Sequence, residues 1–298
     1  MTNRELLDSG IARLEEAGIE DAETDARILF EYVTGMDRGA LLVIGDEEAE
    51  GARERYTALI AERAAHKPVQ HITGMADFMG LRFMVDENVL VPRFDTEFLV
   101  EEMMREVGDG SSVLDMCTGS GCILLSLMRY KNGIKGVGAD ISAAALDIAR
   151  RNEELIFGSQ VAKSSGNLGL HNPEKAVYQV HDNAEWILSD MFEGVTGTFD
   201  FIVSNPPYIK TGVIEELMPE VREHEPLTAL DGGDDGLRFY RVIASEAPAY
   251  LNRHGRLYLE IGFDEAEAVV KLLRESGFTE IEALKDYAGN FRVVKARV

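Results

Sequence analysis

A short apolar run that stops against two prolines limits what this chain can fold into more than any other feature. Phe201, Ile202 and Val203, entered through Phe199-Asp200, have the pattern of a strand buried on both faces. Ser204 then gives way to Asn205-Pro206-Pro207-Tyr208-Ile209. Two consecutive prolines cannot continue a strand, because each lacks the ladder N–H and has a fixed φ. A polar side chain, a stiff backbone and an aromatic ring therefore stand at the carboxyl end of a strand. In open α/β sheets that edge is where ligands bind.

The chemistry of the tetrapeptide is specific. Asn205 offers a side-chain carbonyl oxygen, and Pro206 offers a backbone carbonyl beside Pro207, which has no N–H to compete. Two acceptors on a rigid frame suit a planar –NH2 group with two protons to give. Tyr208 supplies a face for stacking a planar amide or base. The bland alternative is a proline-rich turn with asparagine in its usual turn role, and a second motif upstream argues against it.

That motif is Val113-Leu114-Asp115-Met116-Cys117-Thr118-Gly119-Ser120-Gly121-Cys122-Ile123. An apolar strand ends near Asp115, passes through a loop of small residues, and enters an apolar helix from Ile123 to Met128. Glycines let the backbone approach a ligand, and a helix N-terminus attracts a carboxylate. Gly136 to Asp140 reads as the next strand, its acid 25 residues after Asp115, which suits a βαβ unit whose second acid takes ribose hydroxyls. A dinucleotide fingerprint would need a third glycine where Leu124 stands, and has no use for the early acid. S-adenosylmethionine fits better: its methionine end carries a carboxylate and an ammonium, and its sulfonium tolerates an acidic pocket.

The rest of the chain divides around these motifs. Its 298 residues suggest roughly two domains. Residues 1 to about 70 read as helical: Thr2 and Glu5 form a capping box, and Leu7, Ile11 and Leu14 share a face. Ala22, Ala26, Leu29 and Val33 repeat the pattern up to Gly35, and a third helix is expected from about Glu47 to Ala65. From His71 to about Asp95 the chain reads as a β-hairpin linker, with Phe78 and Phe83 as packing residues. Residues 96–298 form the catalytic domain, opening on a helix from Glu97 that carries Phe98, Leu99 and Met103.

Charge narrows the partners. Acids outnumber bases 53 to 30, and residues 1–70 alone hold 16 acids against 8 bases, with no basic stripe for a phosphate backbone. The balance leans away from naked nucleic acid. Cys117 and Cys122 are the only cysteines, which with no histidine pair nearby predicts neither a disulfide framework nor a metal site, and fits a reducing cytoplasm. The first residues are too polar for a signal peptide, and no apolar run approaches the ~20 residues of a membrane span.

With these residues assembled, the chain resembles the class I S-adenosylmethionine-dependent methyltransferases bearing Asn-Pro-Pro-Tyr. More narrowly, it is similar to the protein-(glutamine-N5) methyltransferases of peptide chain release factors. The likeness covers nearly the whole chain: the helical N-terminal domain, Val89-Leu-Val-Pro-Arg-Phe-Asp-Thr-Glu97, the Thr118-Gly-Ser-Gly121 loop and Asn205 to Tyr208. It extends to Glu225-Pro226, Ala229 to Leu237 with its Asp-Gly-Gly-Asp-Asp-Gly loop, Leu259 to Phe263, and Lys285-Asp286 to Arg297. The adenine-N6 methyltransferases share Asn-Pro-Pro-Tyr, but the linker and the 231–236 loop favour the narrower family.

The resemblance implies a Rossmann-like class I methyltransferase sheet with a small helical N-terminal domain, a possible docking site for the protein substrate. S-adenosylmethionine would be held by Asp115, by Cys117, Thr118, Gly119, Ser120 and Gly121 around its methionine end, by Asp140 at its ribose, by Met191 at its adenine, and by Asn205. Asn205, Pro206, Pro207 and Tyr208 would grip the glutamine of a Gly-Gly-Gln motif, with Asn205, Pro206 and Tyr208 catalytic. The protein would work in the cytoplasm as a monomer without direct nucleic-acid or membrane contact. Cys117 replaces a family glycine, Phe94 a family proline, and Met191 an aromatic. Residues from about 159 to 185 form an insertion, and the acid-rich loop 231–236 lacks calcium-loop spacing and is expected to be structural.

A carboxamide nitrogen is a poor nucleophile, its lone pair being delocalised into the carbonyl. Hydrogen bonds to Asn205 and the Pro206 carbonyl would aim it and stabilise its growing positive charge. No general base is required first, and His66, His71, His171, His181, His224 and His254 all read as surface or packing residues. The competing readings are a glutamine methyltransferase of a ribosomal protein, an adenine-N6 methyltransferase, and a cofactor-binding module without catalysis.

Overall fold

In a computed structural model of the chain, residues 1–44, 47, 49, 51–161 and 184–298 are described. The chain divides into two compact units, residues 1–75 with 217–224, and residues 76–216 with 225–298. The insertion at about 159–185 lies almost wholly outside the described residues, as do His171 and His181.

The first unit is built on helices Asn3–Glu16, Ala22–Thr34 and Arg53–Ala64. Thr2 caps the first helix with a complete capping box, its Oγ1 accepting from Glu5 N–H at 3.2 Å while Glu5 accepts from Thr2 N–H at 2.9 Å. Leu6, Leu7, Leu14, Ala26, Leu29, Phe30, Tyr56 and Ile60 fill the core between these helices. The helix expected over 47–65 is shorter, Arg53–Ala64, beginning after Gly51 at a φ of 72°, and a further helix not expected from sequence, Arg38–Ile44, precedes it. A distant segment completes the unit: helix Pro219–His224 brings Glu220 to Arg63 at 3.0 Å, and Arg63 also pairs with buried Asp25 at 2.6 Å.

A further correction falls at His71-Ile72-Thr73, expected as strand. These residues close a short helix, Val69–Thr73, because Thr73 Oγ1 bonds back to Val69 O at 3.0 Å and Gly74 caps the turn at φ 73°. The hairpin that follows is short, β1 (Met75–Phe78) and β2 (Leu81–Met84), with Phe78 and Phe83 both buried and edge-to-face.

The second unit carries a seven-stranded sheet: β3 (Ser112–Met116), β4 (Lys135–Asp140), β5 (Glu185–Leu188), β6 (Phe199–Ser204), β7 (Leu251–Glu260), β8 (Thr279–Lys285) and β9 (Phe291–Arg297). The spatial order is β5-β4-β3-β6-β7-β9-β8, the first five parallel and β9 reversed between β7 and β8. Side chains alternate between two cores. Leu114, Ile202, Leu257, Leu259 and Val294 enter one, and Val113, Phe201, Val203, Tyr258 and Val293 the other. The chain runs outward from β3 to β5 and returns to β6 on the other flank of β3. A crevice opens at such a reversal, past the carboxyl ends of the strands.

The helix opening this unit runs Phe94–Met104, earlier than the start expected at Glu97. Its first turn carries Asp95 and Glu97, which suit the positive end of a helix. Phe94 sits at the first helical position, where a proline is equally at home.

Candidate active site

A cleft of about 310 Å³ lies past the ends of β3, β4 and β6, within the second unit. Cys117, Thr118, Gly119, Ser120, Asp140, Met191, Asn205 and Pro207 line it, so most of the residues singled out in the sequence converge there. Asp115, Gly121, Pro206 and Tyr208 are not among the residues lining it.

The loop after β3 is held from beneath. Asp115 is fully buried and accepts the Thr118 hydroxyl at 2.7 Å. Burial pushes its carboxyl up to about 7, although Thr118 and the Leu124 N–H favour the charged form. Asp115 therefore shapes the loop and does not face the cleft. Asp140 does both: Oδ2 takes the Gly119 N–H and Oδ1 the Ser142 N–H, each at 2.9 Å. Asn152, wholly buried and not singled out from sequence, donates to Ser120 O at 2.9 Å and Met84 O at 3.0 Å, tying the loop to the hairpin.

Two substitutions fall on special backbone. Cys117 has φ 60° and Met191 φ 46°, the left-handed region that glycine tolerates and other residues resist. The glycine that the family resemblance places at position 117 would answer that backbone directly. Burial pushes the Cys117 thiol well above its ordinary range, with Asp140 acting in the same direction, so it is held as a neutral thiol.

The Asn-Pro-Pro-Tyr turn is clamped by the acid-rich loop. Ile209 N–H donates to Leu230 O at 2.9 Å, and Gly232 N–H to Ile209 O at 2.8 Å. A Cβ on Gly232 would stand 2.7 Å from Tyr208 Cα, and one on Gly236 2.6 Å from Tyr208 O, so these glycines permit the close approach. Two of the three acids of the loop are engaged in the fold. Asp231 accepts from Thr211 Oγ1 at 2.6 Å and Gly233 N–H at 3.0 Å, while Asp235 pairs with Arg241. A second brace joins the linker: Arg93 donates to both oxygens of buried Glu225 at 2.7 Å.

Asn205 has a definite orientation. Its Nδ2 donates to Thr96 Oγ1 at 3.2 Å, which leaves Oδ1 as the end available to accept. Tyr208 Oη donates to Glu260 Oε1 at 3.4 Å, and Tyr240 Oη to Glu260 O at 2.9 Å. Burial pushes Glu260 up to about 7, opposed by Thr96, Arg292 and Tyr208 and reinforced by Asp95. Thr96, Asn152, Glu225 and Glu260 were not identified from sequence. Their partners lie 32 to 134 residues away, and only the Val-Pro-Arg-Phe-Asp-Thr-Glu, Glu-Pro and Leu-Glu-Ile-Gly stretches pointed toward three of them, with nothing pointing to Asn152.

The cleft fits S-adenosylmethionine. Its volume is within the range of small-molecule sites, about 300–1,000 Å³. A Cβ on Gly119 would meet nothing within 4 Å, so the loop leaves open space beside its backbone. Asp140 and the start of helix Cys122–Tyr130 supply the acid and the helix N-terminus that a ribose and a carboxylate call for.

Comparison with known proteins agrees with this geometry. Residues 5–74 match the PrmC N-terminal domain, and residues 93–206 a methyltransferase domain. A release factor glutamine methyltransferase of Geobacter sulfurreducens is 39% identical over 302 residues, covering 100% of this chain and 97% of its own. One of Agrobacterium fabrum is 38% identical over 297 residues, covering 96% of this chain and 93% of its own. Among solved structures, a methyltransferase from Pyrococcus furiosus matches with a TM-score of 0.51 at 18% identity, over 81% of this chain and 96% of that one. This last match is a likeness of fold.

Proposed function

Because the chain belongs to the release factor glutamine methyltransferase family, we propose that it methylates the side-chain amide nitrogen of a glutamine in a peptide chain release factor. Its second unit is a class I, Rossmann-like methyltransferase domain, as expected from the sequence. The methyl donor is S-adenosylmethionine, which presents an electrophilic methyl group on a sulfonium.

The observation that carries the substrate reading is the orientation of Asn205, nitrogen inward to Thr96 and oxygen available to accept. One proton of the glutamine –NH2 goes to Asn205 Oδ1 and the other to the Pro206 carbonyl. These bonds hold the nitrogen in line for attack and stabilise the charge that grows on it. Tyr208 stacks on the planar amide. The proton leaves after transfer, when the nitrogen has become acidic, so no residue need act as an initial base. Cys117 to Gly121 and Asp115 form and support the cradle for the methionine end, Asp140 takes the ribose and Met191 flanks the adenine.

We assign docking of the release factor to the helical unit, a reading supported by exposed Ile28, Tyr32, Leu42 and Val43. Action in the cytoplasm without direct nucleic-acid contact is supported by the excess of acids and by two free cysteines, and the protein is read here as a monomer. Among the described residues, no helix is long and apolar enough to cross a membrane.

Asn205→Ala tests the assignment. The variant is expected to lose at least about 10²-fold in turnover, a loss larger than any accompanying drop in S-adenosylmethionine affinity measured by calorimetry. Wild-type turnover in Asn205→Ala would falsify the role given to its oxygen.

A further inference from the structure

We infer that a second cleft on the catalytic unit seats a cationic side chain of the protein substrate, an arginine in preference to a lysine, while the target glutamine lies at Asn205. The identity of that partner rests on the reading of a release factor as substrate.

The cleft, of about 330 Å³, lies between the first turns of the helix Phe94–Met104 and the loop joining β8 to β9. Phe94 and Tyr287 line it and are each 76% exposed. One exposed ring is ordinary on a protein surface, but two at one cavity make a patch. Phe94 stands where the family resemblance places a proline, so the helix start does not require its ring. Tyr287 is exposed and yet fixed. Its ring meets Phe98 edge-to-face with centroids 5.8 Å apart, and its hydroxyl donates to Glu101 at 2.6 Å. The loop that carries it is held as well, Asp286 Oδ1 accepting the Ala288 and Asn290 N–H groups at 3.0 Å each. A ring ordered before binding loses little freedom when it is covered, which suits it to anchor a partner.

The charge of the walls selects the occupant. Asp95, Glu97, Glu101 and Asp286 line the cleft, and no lysine or arginine does. Arg292 answers two of these acids, Asp95 at 2.8 Å and Asp286 at 3.3 Å. The other two are bonded to neutral donors only: Glu97 accepts the Met79 N–H at 2.5 Å and Glu101 the Tyr287 hydroxyl. A carboxylate has room for further donors. Carboxylates beside open aromatic faces bind a guanidinium in two ways, by ion pairs at its edge and by stacking on its face. A phosphate would be repelled. A metal ion does not suit the cleft either, since no three of His, Cys, Asp or Glu converge to hold one among the described residues.

The position of the cleft gives the contact its use. Thr96, which accepts Asn205 Nδ2, belongs to the same helical turn as Phe94, Asp95 and Glu97. A protein gripped by that turn is gripped next to the residue that receives its glutamine, so the contact raises affinity for the whole substrate without touching the reacting atoms.

Phe94→Ala and Glu101→Lys test this in the full-length enzyme, one removing an exposed ring and the other reversing a charge. With a purified release factor as substrate, its KM is expected to rise on the order of 10-fold in each variant. The kcat at saturation and the affinity for S-adenosylmethionine should stay at wild-type values, and added salt should raise the wild-type KM toward that of Glu101→Lys. Wild-type KM in both variants, or losses confined to kcat, overturns the proposal. A second measurement needs no release factor: titration of the enzyme with N-acetylarginine amide, followed by the ring signals of Tyr287 in NMR. Saturable shifts are expected, weaker with N-acetyllysine amide and absent with N-acetylnorleucine amide or in Glu101→Lys. No saturable shift, or an equal one with the norleucine compound, overturns the cleft as a cation site. Saturable shifts in an enzyme that methylates no release factor would uphold the cation site and fault the substrate reading alone.

Discussion

At the scale of single residues, the cradle tolerates a side chain where the backbone asks for none. Cys117 sits at φ 60°, a conformation that costs a non-glycine residue about 1–2 kcal/mol. Its thiol packs partly against the core beneath the sheet, which offsets some of that strain. Cys117→Gly and Cys117→Ala remove nearly the same packing but differ in their tolerance of this φ. We expect the glycine variant to be the more stable by about 1 kcal/mol in denaturant unfolding. At an ordinary position alanine is favoured by about 0.5–1 kcal/mol. An alanine variant more stable than the glycine variant would mean that the residue is unstrained.

At the scale of elements, the site depends on loops pressed against the Asn-Pro-Pro-Tyr turn. Gly232→Ala would drive a methyl group to 2.7 Å from Tyr208 Cα, and backbone on both sides leaves little to give way. Such overpacking costs about 1–3 kcal/mol, and because it displaces Tyr208, turnover should fall further than stability alone explains. Gly212→Ala is the control, since a Cβ there meets nothing within 4 Å and both properties should hold. Equal behaviour of the two variants in thermal melts and methyl transfer would contradict the clamp. The elements that sequence made legible were those with local causes. The capping box at Thr2, the strands ending at Asp140 and Ser204, and the proline break after Asn205 each follow from neighbours along the chain. What escaped were choices made by distant partners or by one residue's backbone. The helix expected from Glu47 begins only at Arg53, after Gly51 at positive φ, and Gly74 caps a short helix, Val69–Thr73, whose last residues read as strand. Thr96 and Glu260 lie in stretches that the family resemblance singled out, but their contacts with Asn205 and Tyr208 arise only when two strands and a helix meet.

At the scale of the whole molecule, acidity and burial act together. Asp115, Glu260 and Glu265 are each pushed up to about 7 by burial, so folding favours their protonated forms. The folded state then holds more protons than the unfolded one between the ordinary carboxylate range and pH 7, and stability falls as pH rises through that window. Carboxylates held below their ordinary values, such as Asp200, Glu106 and Asp235, exert the opposite trend at more acid pH and do not offset it there. Thermal unfolding should therefore move to lower temperature between about pH 5.5 and pH 8, and Glu260→Gln should flatten the slope. A melting temperature that climbs across this range would refute the assignment of these buried acids.

The net charge of −23 bears on function as well, leaning away from a bare phosphate backbone and agreeing with a protein as substrate. That claim is tested most directly by transfer of a labelled methyl group from S-adenosylmethionine to a purified bacterial release factor, beside the same factor with its Gly-Gly-Gln glutamine substituted. Label on the first and none on the second is the predicted result. Label on both would place the modified residue elsewhere. Label on neither, with the cofactor still bound, would contradict the account and favour a glutamine of a ribosomal protein or an adenine as the acceptor.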